Sequence, residues 1–172
     1  MLVRGPSGSG KSTVAAALRA ELGSGTALVE QDYVRRQLLK EKDTPGALTI
    51  GLLDVMVRRC LDGGFDVVLE GILDAGRYGT MLRSLVADHA GATVCAYLDV
   101  SFEETVRRHA KRAKAQSFST DEMARWWVPD DVLGVDGEVV IESQSSVQEA
   151  SARLLALISA AAGLGESVGS AT

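Results

Sequence analysis

The sequence predicts an α/β fold, a single domain built from βαβ units around a parallel sheet. Short β-branched runs alternate with longer helical patterns, which is the order such units produce. The runs are nearly continuous in apolar residues, as strands covered on both faces are. A chain of 172 residues, 46% hydrophobic and 24% charged, suits one globular core.

Strands are expected over residues 1–4, 26–30, 66–70, 93–99 and 138–142. The first is unusually short, and each of the others ends in an acid. The first helix is marked by Val14, Leu18 and Leu22, one turn apart, with Gly23 placed to stop it. Leu48, Leu52, Met56 and Cys60 repeat that spacing in a second helix. Ser101 followed by Glu104 fits a capping box, opening a helix whose inner face would be Phe102, Val106 and either His109 or Ala110. Val147, Ala150, Leu154, Leu157, Ile158 and Ala161 outline the last helix; residues 1–162 form the domain and 163–172 a flexible tail.

Composition removes several functions. Lys and Arg number 18 against 23 Asp and Glu, a net charge of −5, which leaves no broad basic surface for duplex DNA. No apolar run has the length of a membrane span or a secretory signal, so a cytoplasmic location is expected. Cys60 and Cys95 lie in apolar segments without metal spacing and read as reduced core thiols. The two histidines, His89 and His109, fall in no zinc or triad pattern. Carboxylates, arginines and a lysine are left to carry the chemistry.

The strongest motif is Gly5-Pro-Ser7-Gly8-Ser9-Gly10-Lys11-Ser12, which matches GxxxxGK[ST] between a strand and an amphipathic helix and runs on into Thr13. Its glycines let backbone N–H groups turn inward around phosphate oxygens, and the following helix adds its positive end. Lys11 would reach the outer phosphates, and Ser12 would place its hydroxyl on Mg²⁺. The loop alone does not identify the phosphate acceptor.

Asp32 stands just past the second strand, at the edge of an open sheet where ligands bind, with Arg35 one turn on. A carboxylate there can take the proton of an attacking hydroxyl, and Arg35 can read an anion; the alternative is an N-cap beside a solvated arginine. Glu70 ends the third strand next to Gly71, suited to hold Mg²⁺ through water and to face the substrate, whereas Asp99 precedes Ser101 and orders a turn. Arg107, Arg108, Lys111, Arg112 and Lys114 concentrate five cations in eight residues of an acidic chain. That asymmetry suits a mobile lid over residues 110–130 whose Arg108 and Arg112 balance charge during phosphoryl transfer; a helix end offset by cations is the plainer reading. Of the adjacent Trp126 and Trp127 only one can face inward on an amphipathic helix, leaving the other, Trp126 as the candidate, to wall the acceptor site.

Together the segment from Gly5 to Ser12, Asp32 with Arg35, the run from Val67 to Gly71 and the stretch from Tyr97 to Arg112 resemble the small P-loop kinases. These include the 5′-kinase domain of polynucleotide kinase, zeta-toxin and chloramphenicol phosphotransferase-like proteins, and more distantly adenylate kinase. The resemblance covers about residues 1–160. It implies the three-layer P-loop NTPase fold, a five-stranded parallel sheet in the order 2-3-1-4-5 with helices on both faces and a helical lid. It also implies ATP as donor, a base at Asp32, Arg108 against the adenine, Arg112 on the phosphates and Arg35 on a phosphate of the acceptor. The chain departs from these relatives in its short first strand, in Glu70 where Asp is commoner, and in an elaborated lid. The expected function is ATP- and Mg²⁺-dependent phosphorylation of a hydroxyl on a nucleoside, sugar or antibiotic-like molecule. The alternatives are a nucleotide or polynucleotide 5′-end kinase and a nucleotide-binding module without catalysis.

Overall fold

The centre of the sheet is its shortest strand. In the computed structural model, which describes residues 1–110 and 119–168, β1 (Leu2–Arg4) lies between β3 (Asp66–Gly71) and β4 (Cys95–Asp99). The edges are β2 (Thr26–Glu30) and β5 (Val139–Glu142), giving the parallel order β2-β3-β1-β4-β5. Alternate residues serve opposite faces, because successive strand side chains point to opposite sides. Leu2, Val67, Leu69 and Cys95 join a core under α2 (Leu48–Asp62) and α3 (Ala75–Asp88). Val3, Val68, Ala96 and Leu98 join a second core under α1 (Lys11–Leu22) and α6 (Val147–Val168). Helices therefore cover both faces, which explains why the strands read as unbroken apolar runs. Two short helices, α4 (Phe102–Ala110) and α5 (Thr120–Trp126), lie between β4 and β5 in the chain. Among the described residues no helix is long and apolar enough to cross a membrane.

Local chemistry sets the element ends. Gly10 caps α1 at φ 99° and Gly23 stops it at φ 78°, backbone angles that cost glycine nothing. Asp74 accepts the N–H of Arg77 at the start of α3, and Ser119 with Glu122 forms a full capping box on α5. The N-terminus of α2 is capped from a distance: the Glu41 carboxylate accepts the N–H groups of Leu48 and Thr49 and the Thr49 hydroxyl.

Several expectations change. The buried stripe of α2 is Thr49, Leu53 and Val57, one residue round from the predicted one. Glu41 draws Thr49 inward and leaves Leu48 exposed, while Leu52, Met56 and Cys60 pack at the margin of the core. On α4 the buried residues are Thr105 and His109, so His109 rather than Ala110 completes the inner face. The Ser101 hydroxyl accepts the Glu104 N–H at 3.3 Å, but the Glu104 carboxylate turns to Arg107 and Arg108. Helix α6 continues through Gly163 to Val168 instead of stopping before it. Residues 31–38, expected only to carry a helical turn, form a wide one: a π-helix over Tyr33–Leu38. Helix α3, with Tyr78, Leu82 and Leu85 buried, was not foreseen.

Candidate active site

The carboxyl ends of the strands gather the motif residues on one rim. Glu30 and Glu70 are register partners, and Arg4, the residue before Gly5, is paired with Gly71 and Tyr97. Between β1 and α1 the loop runs through Gly5, Gly8 and Gly10, all at positive φ. A side chain at Gly5 would come within 2.8 Å of the Leu98 carbonyl, and one at Gly8 within 3.2 Å of the Thr105 carbonyl, so the loop is wedged against β4 and α4. Ser9 donates its N–H to Pro6, and the Lys11 ammonium lies back over the loop, 3.4 Å from the Pro6 carbonyl. Ser7 is half-buried, Thr13 is exposed, and the Ser9 hydroxyl is buried beneath the loop without a partner.

The Ser12 hydroxyl donates to Glu70 Oε1 at 3.2 Å. Glu70 is buried, and its second oxygen, Oε2, has no hydrogen-bond partner. Burial pushes this carboxyl above its usual range; Lys11 and the Ser12 hydroxyl oppose that, and the neighbouring Glu30 and Asp32 add to it. An orphaned, buried carboxylate oxygen beside a hydroxyl fits a magnesium ion, whose charge would offset the cost of burying it. Among the described residues no cluster of three or more acidic, histidine or cysteine side chains could hold a metal unaided. Mg²⁺ is commonly held by one or two protein groups plus phosphates and water. Ser12 directly and Glu70 through water are the residues that would hold it.

Asp32 faces the same rim but in solvent, its side chain 60% exposed, and forms ion pairs with Arg35 at 3.0 Å and Arg36 at 3.1 Å. Desolvation by the surrounding chain would raise its pKa; Arg36, Arg35 and Lys11 together outweigh that and hold it below the usual carboxylate range. Asp32 precedes the π-helix, yet its side chain caps no backbone N–H. Arg35 is largely buried; one Nη reaches the Glu41 carbonyl at 3.4 Å, and Nε is buried without a partner.

Residues that sequence reasoning missed complete this side. Tyr78 donates its hydroxyl to Asp43 at 2.7 Å, and Arg77 pairs with Asp43 and Asp74, so the start of α3 is clasped to the segment following the π-helix. Burial, followed by the bond to Asp43, pushes the Tyr78 phenol well up. The buried Gln31, next to Asp32, accepts the Leu73 N–H at 3.1 Å. Their only signal in the sequence was polar residues flanking strand ends; the pairings with Asp43 and between Gln31 and Leu73 are long-range.

On the far side of the phosphate loop a cavity of about 240 Å³ opens between Gly10, Val14, Leu98, Ile141 and Val147. Arg108 crosses it, donating from Nε to Glu104 at 2.6 Å, from one Nη to the Ser9 carbonyl at 3.0 Å and from the other to the Ser143 carbonyl at 2.7 Å. Arg107 and then Arg108 hold the Glu104 carboxyl down at about 2. A larger cavity of about 800 Å³, bounded by Met1, Phe65, Val67 and His89, lies at the opposite rim, where the strands begin. No motif residue lines it. Arg112 lies outside the described residues, as does the side chain of Trp126. Trp127 donates its indole N–H to the Val100 carbonyl and meets Phe102 edge to face at 5.9 Å, bracing the end of β4 against α4. Asp99 is exposed at the end of β4, in register with Glu142.

This architecture is shared. A structure described as APE1195 superposes with a TM-score of 0.68 and 19% identity over 92% of this chain and 93% of that one. An APS kinase, CysC, from Mycobacterium tuberculosis, solved with AMPPNP and APS, gives 0.65 and 18% over 92% and 96%. A gluconokinase from Sinorhizobium meliloti 1021 gives 0.61 and 18% over 94% and 92%. No curated protein matches the sequence. The P-loop NTPase fold and the strand order that the resemblance implied are thereby established. Residues 1–126, which carry the phosphate loop, Asp32, Glu70 and Arg108, match the family model for an AAA domain, and the chain belongs to that family.

Proposed function

We propose that the protein is an ATP- and Mg²⁺-dependent kinase that transfers the γ-phosphate to a hydroxyl of a small molecule. The observation that carries this reading is the pair of unlike carboxylates on one rim. Glu70 is buried against Ser12 with an orphaned oxygen; Asp32 is exposed and kept ionised by arginines. A module that only binds and exchanges nucleotide has use for the first alone, whereas transfer to a hydroxyl also needs a group that orients the acceptor and takes its proton. Structures described as an APS kinase and a gluconokinase share the fold, which supports the kinase class.

In this reading the loop from Gly5 to Thr13 cradles the phosphates and Lys11 swings from Pro6 onto the β- and γ-phosphates. Ser12 directly, and Glu70 through water, would hold the magnesium ion, which would supply positive charge to neutralise the phosphates. Arg108 fixes the outer wall of the cavity beside Gly10, where the base would lie, and Arg112 would supply charge from the lid. Asp32 orients the acceptor hydroxyl and takes its proton as the new O–P bond forms and the bond to the leaving diphosphate breaks. Its low pKa makes it a weak base that is always ionised at neutral pH, which suits a loose transition state needing orientation more than deprotonation. Arg35, packed behind Asp32, would hold an anionic group of the acceptor, with Trp126 as a candidate wall.

The test is transfer of labelled phosphate from ATP across panels of sugars, sugar acids, nucleosides and oligonucleotide 5′ ends. A small-molecule product that disappears in Asp32→Asn, with nucleotide affinity retained, is the expected result. Nucleotide binding with no product on any panel would overturn the kinase reading, and salt-sensitive labelling of oligonucleotides would replace the acceptor class.

A further inference from the structure

Arg4 ends the central strand immediately before the phosphate loop, and its side chain is wholly buried. A cation taken out of water persists only when paired and fully hydrogen-bonded. Here Nε donates to the Leu73 carbonyl at 3.0 Å, one Nη to Glu138 at 3.3 Å and the other to Asp131 at 2.9 Å, with the guanidinium 5.7 Å from the centre of the Tyr97 ring. Each partner has a second task. Asp131 accepts the N–H of Ala75, the first residue of α3, and Glu138 accepts the N–H groups of Leu133 and Gly134.

Leu73 is the informative partner. It is buried at φ 45°, a left-handed backbone that a branched side chain adopts only when its surroundings impose it. The surroundings are two hydrogen bonds: its carbonyl to Arg4 and its N–H to Gln31. Gln31 reaches Leu73 by crossing Gly71, where any Cβ would stand 2.4 Å from its Oε1. The chain of contacts thus runs from the residue before the phosphate loop, through a strained turn just past Glu70, to the residue before Asp32.

Resting on the kinase reading above, we infer that Arg4 is a positioning residue: through Leu73 and Gln31 it holds the acceptor carboxylate Asp32 in register with the phosphate loop. The geometry suits the task, because the planar fork of arginine fixes three acceptors at set angles, which a lysine ammonium cannot do. The same fork ties in the segment 131–138, so the loop leading into β5 shares the anchor.

The test compares Arg4→Lys, Gln31→Leu and the double variant in the full chain, each checked for folding by circular dichroism. The expected result is a kcat lower by about tenfold or more in both single variants, since small misplacements of reacting groups cost that much. Affinity for AMPPNP stays within about twofold, and the double variant is no worse than Arg4→Lys. Unchanged kcat, losses that multiply in the double variant, or a loss confined to nucleotide affinity would overturn the inference. Amide hydrogen exchange gives a readout that needs no activity. Arg4→Lys should speed exchange in residues 31–38 and 71–75 but not in α1; equal exchange there overturns the inference even if wild type phosphorylates nothing, an outcome that by itself sinks only the kinase reading. If Arg4→Lys does not fold, Gln31→Leu alone decides by the same two measurements.

Discussion

The two halves of the rim are built by different means. The phosphate side is made of backbone: glycines at positive φ, a helix start and the close approach of β4 and α4. The side around Asp32 is made of paired charges, Asp32 with Arg35 and Arg36, Arg77 with Asp43 and Asp74, and the buried Arg4 with Asp131 and Glu138. Backbone cradles accept a ligand part common to many proteins, whereas side-chain ladders can be rewritten one residue at a time. Under the proposed kinase reading the comparison teaches where specificity would reside: the donor site would be a fixed mould and the acceptor site an adjustable one.

That contrast can be broken by mutation. The largest expected effect is Lys11→Ala, which should abolish phosphate transfer as Asp32→Asn does and weaken ATP binding besides, measured by labelled transfer and calorimetry. Unchanged transfer would remove the phosphate side from the chemistry. Next comes Arg4→Met, which strands two buried carboxylates and should cost roughly 3–5 kcal/mol of stability in urea unfolding. A loss below about 1 kcal/mol would show that the buried pair is dispensable. Tyr78→Phe removes the bond to Asp43 and should cost about 1 kcal/mol, with acceptor KM raised and ATP affinity unchanged.

The two carboxylates sharpen the comparison through pH. Burial raises Glu70, so its ionised form opposes folding; that cost is absent below the ordinary glutamate value of about 4.3 and grows as pH rises through the raised folded value. Glu70→Gln should therefore raise the melting temperature of the metal-free protein near neutral pH, with the gain vanishing at about pH 4, while Mg²⁺-supported transfer falls. Asp32 has the opposite sign: its lowered value contributes stability above the ordinary aspartate range, lost as pH falls through the folded value. Because the side chain is 60% exposed, solvent screens that contribution, and Asp32→Asn should move stability by no more than about 0.5 kcal/mol while abolishing transfer. A larger stability loss would recast Asp32 as structural.

The same contrast governs what was legible in the sequence. The phosphate loop is local, and Gly5, Gly10, Lys11 and Ser12 declare their expected roles by type and spacing. The strands were legible because two-sided burial leaves no polar alternation. The hub at Arg4 was not: Asp131 and Glu138 lie 127 and 134 positions away, and an arginine ending a strand looks the same whether buried or solvated. Helix α2 was found but turned by one residue, since its face depends on Glu41, a capping group outside the helix. The end of α6 lies beyond the expected one because a glycine permits a helix to stop without compelling it: Gly23 ends α1 at a φ of 78°, whereas Gly163 stays within the helix.

The three-residue central strand gives Leu2 to one apolar body and Val3 to the other. Because adjacent positions serve opposite sides, a slip of a single residue would swap both fillings at once and unseat Arg4 with them. The molecule's two interiors are thus riveted together at one point, and the threading of that point fixes the fold and the entrance to the phosphate loop in the same stroke.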